Sequence, residues 1–244
     1  MDSGYYAACT GLRAQNQALE IIANNLANAS TAGYRGGLTA FQSLVASATT
    51  EPMSALNYAI NDYNVMGASG VDLSTGSLER TGNPLDMAIE GRGFFAVQTK
   101  AGTLYTRNGS FQISATGQLT TQAGDPVLGA AGPVLVPSGE ISVSRDGTIS
   151  VNGAVADKLR MVEFTSGSSI AAAGGAYYSA PATDVLPAAD ARVRQGMIEN
   201  SNAGTTKAIA DLVVVQRHAE MLQRALSVFY SEFNQIAANT LPKV

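Results

Sequence analysis

Eight positions near the C-terminus, Leu212, Val215, Ala219, Leu222, Leu226, Phe229, Phe233 and Ile236, follow one another at spacings of 3-4-3-4-3-4-3. A stripe of this period stays on one side of an α-helix and has to be covered by another surface. The pattern fixes the face that is covered and leaves open whether a core of the same chain or another helix covers it. No glycine follows Gly204 and Pro242 is the only proline beyond it, so the segment can run as one helix. Asn200, Ser201 and Asn202 stand just ahead of it and can supply an N-cap.

The N-terminal segment repeats the theme more weakly. Leu12, Leu19 and Leu26 recur every seven residues, with Ala8, Gln15, Ile22 and Ala29 as companions and Gln15 as a polar break. Leu12–Ala32 contains neither Gly nor Pro; Ala32-Gly33-Tyr34 then reads as a helix stop and Leu38–Val45 as a short resumption. Only Asp2, Arg13, Glu20 and Arg35 are charged in the first 50 residues. The whole chain is 14% charged, against about 25% in soluble domains. A helix with one wet face carries more charge than this. Small and amide residues fill the other positions, which suits close contact with helices on several sides.

Between these ends the period changes. Fifteen of the 25 glycines fall between Gly67 and Gly153. From about Ser77 to Val193, Phe95/Val97, Leu104, Phe111/Ile113, Ile141/Val143 and Ile149/Val151 alternate with polar residues. Asn108-Gly109, Asp146-Gly147 and Asn152-Gly153 are hairpin signals, because these pairs accept the positive φ of tight β-turns. Thr49–Gly76 is polar and aperiodic and reads as an extended connector; Ala171–Pro187, rich in Ala and Gly, reads as a long edge loop. The expected fold class is α+β. Paired N- and C-terminal helices (1–48 and 198–244) form a coiled-coil-like inner domain, 49–76 connects, and a mainly antiparallel β domain (77–197) is inserted between them.

The sequence offers no site for chemistry. Its one histidine, His218, sits between seam positions with no Cys/Asp/Glu set to make it a ligand or base. The one cysteine, Cys9, excludes an internal disulfide framework. Gly91-Arg92-Gly93-Phe94-Phe95-Ala96 matches a dinucleotide fingerprint in letters, but a strand rather than a helix is expected to follow, so the glycines read as a kink or bulge. Asp86, Glu90, Asp146, Asp184 and Asp190 are scattered and form no acid–base pair. No catalytic residue, metal site or cofactor is expected. The net charge of −4, without a Lys/Arg cluster, gives no footprint for nucleic acid or an anionic membrane. The start, Met1-Asp2-Ser3-Gly4, lacks the basic and apolar regions of a cleavable signal peptide.

Four separated segments carry a resemblance. Asn24-Asn25-Leu26-Ala27-Asn28-Ala29-Ser30-Thr31-Ala32-Gly33-Tyr34-Arg35, with Phe41-Gln42, is similar to the N-terminal signature of the flagellar rod and hook protein family. Ala88–Val97, Tyr105–Phe111 and Asp146–Ser150 resemble its β-domain landmarks in order, and Gln195–Asn202 resembles the entry to its C-terminal helix. Gly82–Ala88 and Pro126–Gly129 ahead of Gly132-Pro133 look most like a proximal-rod member, with a distal-rod member as the near alternative.

The resemblance implies a structural subunit that polymerises through its terminal helices into a torque-transmitting shaft. Its partners would be copies of itself and neighbouring rod proteins, with no nucleic acid and no small-molecule substrate. It further implies passage through the flagellar type III export apparatus and a place in the basal body, in the periplasm. The assembly interface expected on this basis is Leu12, Leu19, Ile22, Leu26, Asn28, Tyr34, Leu212, Val215, Leu222, Leu226, Phe229, Phe233 and Ile236. Two other classes fit the residues less well. A carbohydrate-binding β domain on a helical stalk calls for exposed aromatics, and the chain has no Trp and one adjacent pair, Tyr177-Tyr178. A cytoplasmic coiled-coil adaptor calls for charged flanking positions that the N-terminal segment lacks.

Overall fold

The computed structural model describes residues 2–38, 70–165 and 169–240; all of the expected helix over Leu38–Val45 except Leu38, which falls in a strand, and most of the expected connector lie outside them. Among the described residues there are two α-helices, α1 (Asp2–Ala27) and α2 (Thr205–Thr240). Between them run β1 (Gly37–Leu38), β2 (Gly70–Val71), β3 (Leu78–Arg80), β4 (Met87–Glu90), β5 (Phe94–Thr99) and β6 (Gly102–Thr106). Then come β7 (Phe111–Ile113), β8 (Leu119–Thr121), β9 (Ile141–Val143), β10 (Thr148–Val151), β11 (Ala154–Lys158) and β12 (Met161–Phe164). The last strands are β13 (Ala171–Gly174), β14 (Tyr177–Ser179), β15 (Val185–Pro187), β16 (Arg192–Gln195) and β17 (Met197–Glu199). The fold is α+β, and the β part is mainly antiparallel.

The chain divides into two compact units. One comprises Met1–Leu26, Gly37–Ser69 and Thr205–Val244; the other, Ala27–Gly36 with Gly70–Gly204. Residues 27–36, which follow directly on α1 in sequence, therefore pack with the strands.

The core of the second unit is organised around β5. The largest sheet has the order β13-β14-β6-β5-β12-β15. Successive side chains of a strand point to opposite faces, so a central strand covered on both sides reads as a continuous apolar run. In β5, Phe95 and Val97 join a cluster with Met87, Ile89, Phe111, Leu119, Val134 and Ile149, while Phe94 and Ala96 join a second with Tyr105, Leu128, Val162 and Tyr178. Phe95 and Phe111 meet edge to face, and Phe94 does so with Tyr178.

Two of the three expected hairpins form. Asn152 and Gly153, both at positive φ, join β10 to β11 with Val151 opposite Ala154. Gly147 (φ +84°) turns β9 into β10. Asn108-Gly109 is different: β6 pairs with β5 and β14, and β7 with β8, so this pair lies on a crossing between sheets. Gly109 is required there because a β-carbon would overlap the Met87 carbonyl, and its own carbonyl accepts from the Met87 N–H at 3.0 Å. Gly91-Arg92-Gly93 forms the turn between β4 and β5, with both glycines at positive φ and a strand following.

The expected loop over Ala171–Pro187 contains β13, β14, a short 3₁₀ turn and β15. Its Ala171–Gly174 strand is exposed throughout, held by main-chain pairing to β14 rather than by an apolar face. Neither apolar run nor alternation marks such an edge in the sequence. Asn200 and Asn202, expected as helix caps, instead bind strand-side partners: Asn200 reaches Ser77 and Glu79, and Asn202 reaches Gly36, Asp72 and Ser74.

Candidate functional site

In the helical unit, the described positions of the α2 stripe are less exposed than most of their neighbours. Leu212, Val215, Leu222 and Leu226 are half-buried and Ala219 is buried, whereas most flanking positions are exposed. The side chains of Phe229, Phe233 and Ile236 lie outside the described residues. The opposite side of α2 is also apolar in part: Val214, Met221 and Val228 are each more than half exposed at seven-residue spacing.

On α1 the expected line is displaced. Ile22 is buried and Leu12, Leu19 and Leu26 are half-buried, but the other buried positions among the described side chains of α1 are Gly11, Ala14 and Ala18. Small residues, rather than the leucines, take the most deeply buried of these positions. Asn25 closes the chain back onto the helix, its side-chain amide exchanging two hydrogen bonds with Gly37 at 2.8 and 2.9 Å.

In the other unit, the segment following α1 meets the segment preceding α2. After a turn in which Thr31 Oγ1 donates to Asn28 Oδ1, Gly33 takes φ +67° and donates its N–H to the Glu199 carbonyl at 2.7 Å. The Arg35 N–H donates to the Tyr178 hydroxyl at 2.6 Å, and the Gly36 N–H to Asn202 Oδ1 at 2.7 Å. Asn28 and Tyr34, expected in the helical interface, fall on this strap; Tyr34 is buried there, and burial raises its hydroxyl pKa.

Beneath the strap lies an ionic triad that periodicity did not reveal. Glu199 Oε1 stands 2.7 Å from Arg35 Nη2, and Glu199 Oε2 stands 3.0 Å from Arg107 Nη1; the three side chains are 0–2% exposed. The Arg35 contact is close in distance but not aligned as a hydrogen bond. Arg107 Nη1 also donates to the Ile89 carbonyl and Nη2 to that of Gly91, while the Gly76 N–H donates to Glu199 Oε1. Burial lowers the Arg107 guanidinium pKa to about 10; Glu199 opposes that shift and Arg35 adds to it. Burial likewise pushes Tyr178 up to about 12.

Two cations share one anion in a site closed to water. Removing one member of such a buried cluster typically costs about 3–5 kcal/mol, because it leaves a charge uncompensated. The only sequence hint was that charges were scarce: Arg35 is one of four in the first 50 residues, and Glu199 ends an apolar strand.

Nothing in the described residues resembles a reaction centre. No group of three His, Cys, Asp or Glu could hold a metal among them, and His218 lies exposed on α2. No helix among them is long and apolar enough to cross a membrane.

Comparison with known proteins finds relatives over most of the chain. A family described as "Flagella basal body rod protein" matches residues 6–35, and one described as "Flagellar hook protein FlgE/F/G D1 domain" matches residues 88–151. The chain is 34% identical to the flagellar basal-body rod protein FlgF of Escherichia coli (strain K12), over 91% of this chain and 93% of the relative. This chain belongs to the flagellar basal-body rod protein family. It is 31% identical to FlgF of Caulobacter vibrioides over the full length of both, and 31% identical to FlgG of Buchnera aphidicola subsp. Acyrthosiphon pisum over 89% and 92%. As a rod-family protein it is a structural subunit of the flagellar basal body and not an enzyme. The two family matches take in Arg35 and Arg107 respectively, and Glu199 lies beyond both.

Proposed function

We propose that this chain is the type F member of the rod family and polymerises, through its two terminal helices paired as a helical inner domain, into the proximal part of the drive shaft. The similarity to FlgF proteins over 89–100% of the chain, at 31–34% identity, carries this reading. The stripe on α2 supports the mechanism. Each Leu or Phe of such a stripe that passes from water into a contact contributes about 1.5–3 kcal/mol, and helix ordering offsets part of the gain.

On this reading the assembly interface is Leu12, Leu19, Ile22 and Leu26 on α1, with the α2 stripe from Leu212 to Ile236. The partners are further copies and adjoining rod proteins. The chain reaches the periplasm through the flagellar type III export apparatus.

The type G, distal position is the second reading, favoured by the FlgG relatives at 28–31% identity. Cysteine crosslinking in isolated basal bodies separates the two. A Val155→Cys subunit, exposed on β11, should crosslink within the proximal rod; capture next to the hook would establish the distal position instead.

A further inference from the structure

The strap comes early in the chain, yet what holds it comes late. Gly33, Arg35 and Gly36 meet Glu199, Tyr178 and Asn202, and two of those three belong to the short stretch 196–202. That stretch is itself threaded into the unit by main-chain bonds. β17 pairs with β3, Gly196 receives the N–H groups of Thr81 and Gly82 and donates to the Asp86 carbonyl, and the Asn200 N–H donates to the Ser77 carbonyl. A chain that emerges N-terminus first presents Arg35 and Arg107 well before the one carboxylate that neutralises them. Until Glu199 arrives, closing the strap would bury two guanidinium groups with no anion, which the desolvation of charge opposes.

We propose that the Arg35–Glu199–Arg107 triad is a closure latch: residues 27–36 lock onto the β unit only when residues 196–202 are in place. The segment leading out of α1 and the segment leading into α2 are then fixed in a single event. The device senses completeness, since a chain lacking its last strand keeps the strap open whatever the state of the β5–β6 core. Arg35 and Glu199 act here as positioning residues for the strap. This inference rests on the geometry of one unit and stands whether the subunit is proximal or distal.

Hydrogen exchange on the full-length chain tests it. In Glu199→Gln, which keeps the shape and removes the charge, the Gly33, Arg35 and Gly36 amides should exchange on the order of a hundredfold faster. The Ala96, Leu128 and Val134 amides, bonded within the β core, should keep their protection. Arg35→Met, which leaves the Glu199–Arg107 pair intact, should release the same strap amides and no others; it decides the matter if Glu199→Gln unfolds. Strap protection unchanged in Arg35→Met, or lost there only in step with Ala96, Leu128 and Val134, overturns the latch.

Discussion

Gly33 lies so close to the main chain of Arg107 that a β-carbon on it would overlap the Arg107 carbonyl carbon and the Asn108 nitrogen. Its φ of +67° is a second barrier to any other residue. Gly33→Ala should therefore lose about 1–3 kcal/mol from the left-handed backbone, with the overlap adding to that loss. Denaturant unfolding checks this. A midpoint equal to the wild type would mean that the strap does not sit against Arg107.

Tyr178 gives the strap a pH signature. Its hydroxyl accepts the Arg35 N–H, and burial holds its pKa near 12 instead of 10. Between those values the folded chain keeps a proton that the unfolded chain has released, so the stability from the neutral hydroxyl is complete below pH 10 and fades as pH rises through about 12. Tyr178→Phe should cost about 1–3 kcal/mol at neutral pH by leaving a buried N–H without an acceptor. The gap between variant and wild type should narrow above pH 10; a gap that widens there contradicts the assigned shift.

Fragment boundaries follow from the pairing of β3 with β17 and of β4 with β16. A fragment of residues 77–197, the span that hairpin signals alone delimit, stops short of Glu199 and leaves Arg107 without its carboxylate. It should still unfold cooperatively with β-type circular dichroism, but at a lower denaturant midpoint than residues 27–204, which keep the triad. Equal midpoints for the two fragments would show that the triad contributes little to the unit.

The α2 stripe is tested by Leu226→Glu. Leu226 is half-buried, and its nearest stripe neighbours in sequence are Leu222 and Phe229. Burying a carboxylate among such neighbours costs several kcal/mol, comparable to the stability of a small domain. The variant should keep the thermal transition of its β unit and be lost from purified basal bodies by at least about tenfold. Normal incorporation would remove the stripe from the assembly mechanism.

Local patterns carried the parts of this fold that local physics controls. The α2 face was legible because a helix repeats every 3.6 residues, so the spacing of Leu212, Val215, Ala219, Leu222 and Leu226 specifies a direction in space. Asp146-Gly147 and Asn152-Gly153 were legible because a tight turn is decided by the φ of one or two residues. On α1 the same reasoning found the helix but centred its covered face on the leucines, since volume weighs more than closeness of approach in an apolar pattern.

Long-range encounters were decided only by the tertiary structure. Asn108-Gly109 has hairpin chemistry, yet its neighbours pair elsewhere, and Gly109 serves a close approach to Met87. Ala171–Gly174 becomes a strand because β14 offers it a hydrogen-bonding edge, not through anything in its side chains. Arg35, Arg107 and Glu199 read singly as three ordinary charges among polar residues. The sequence determined which stretches become helix, hairpin or turn, because those depend on neighbours along the chain. That three distant charges share one dry site was decided by the packing of the sheets, because the strength of a charge pair depends on the water excluded around it.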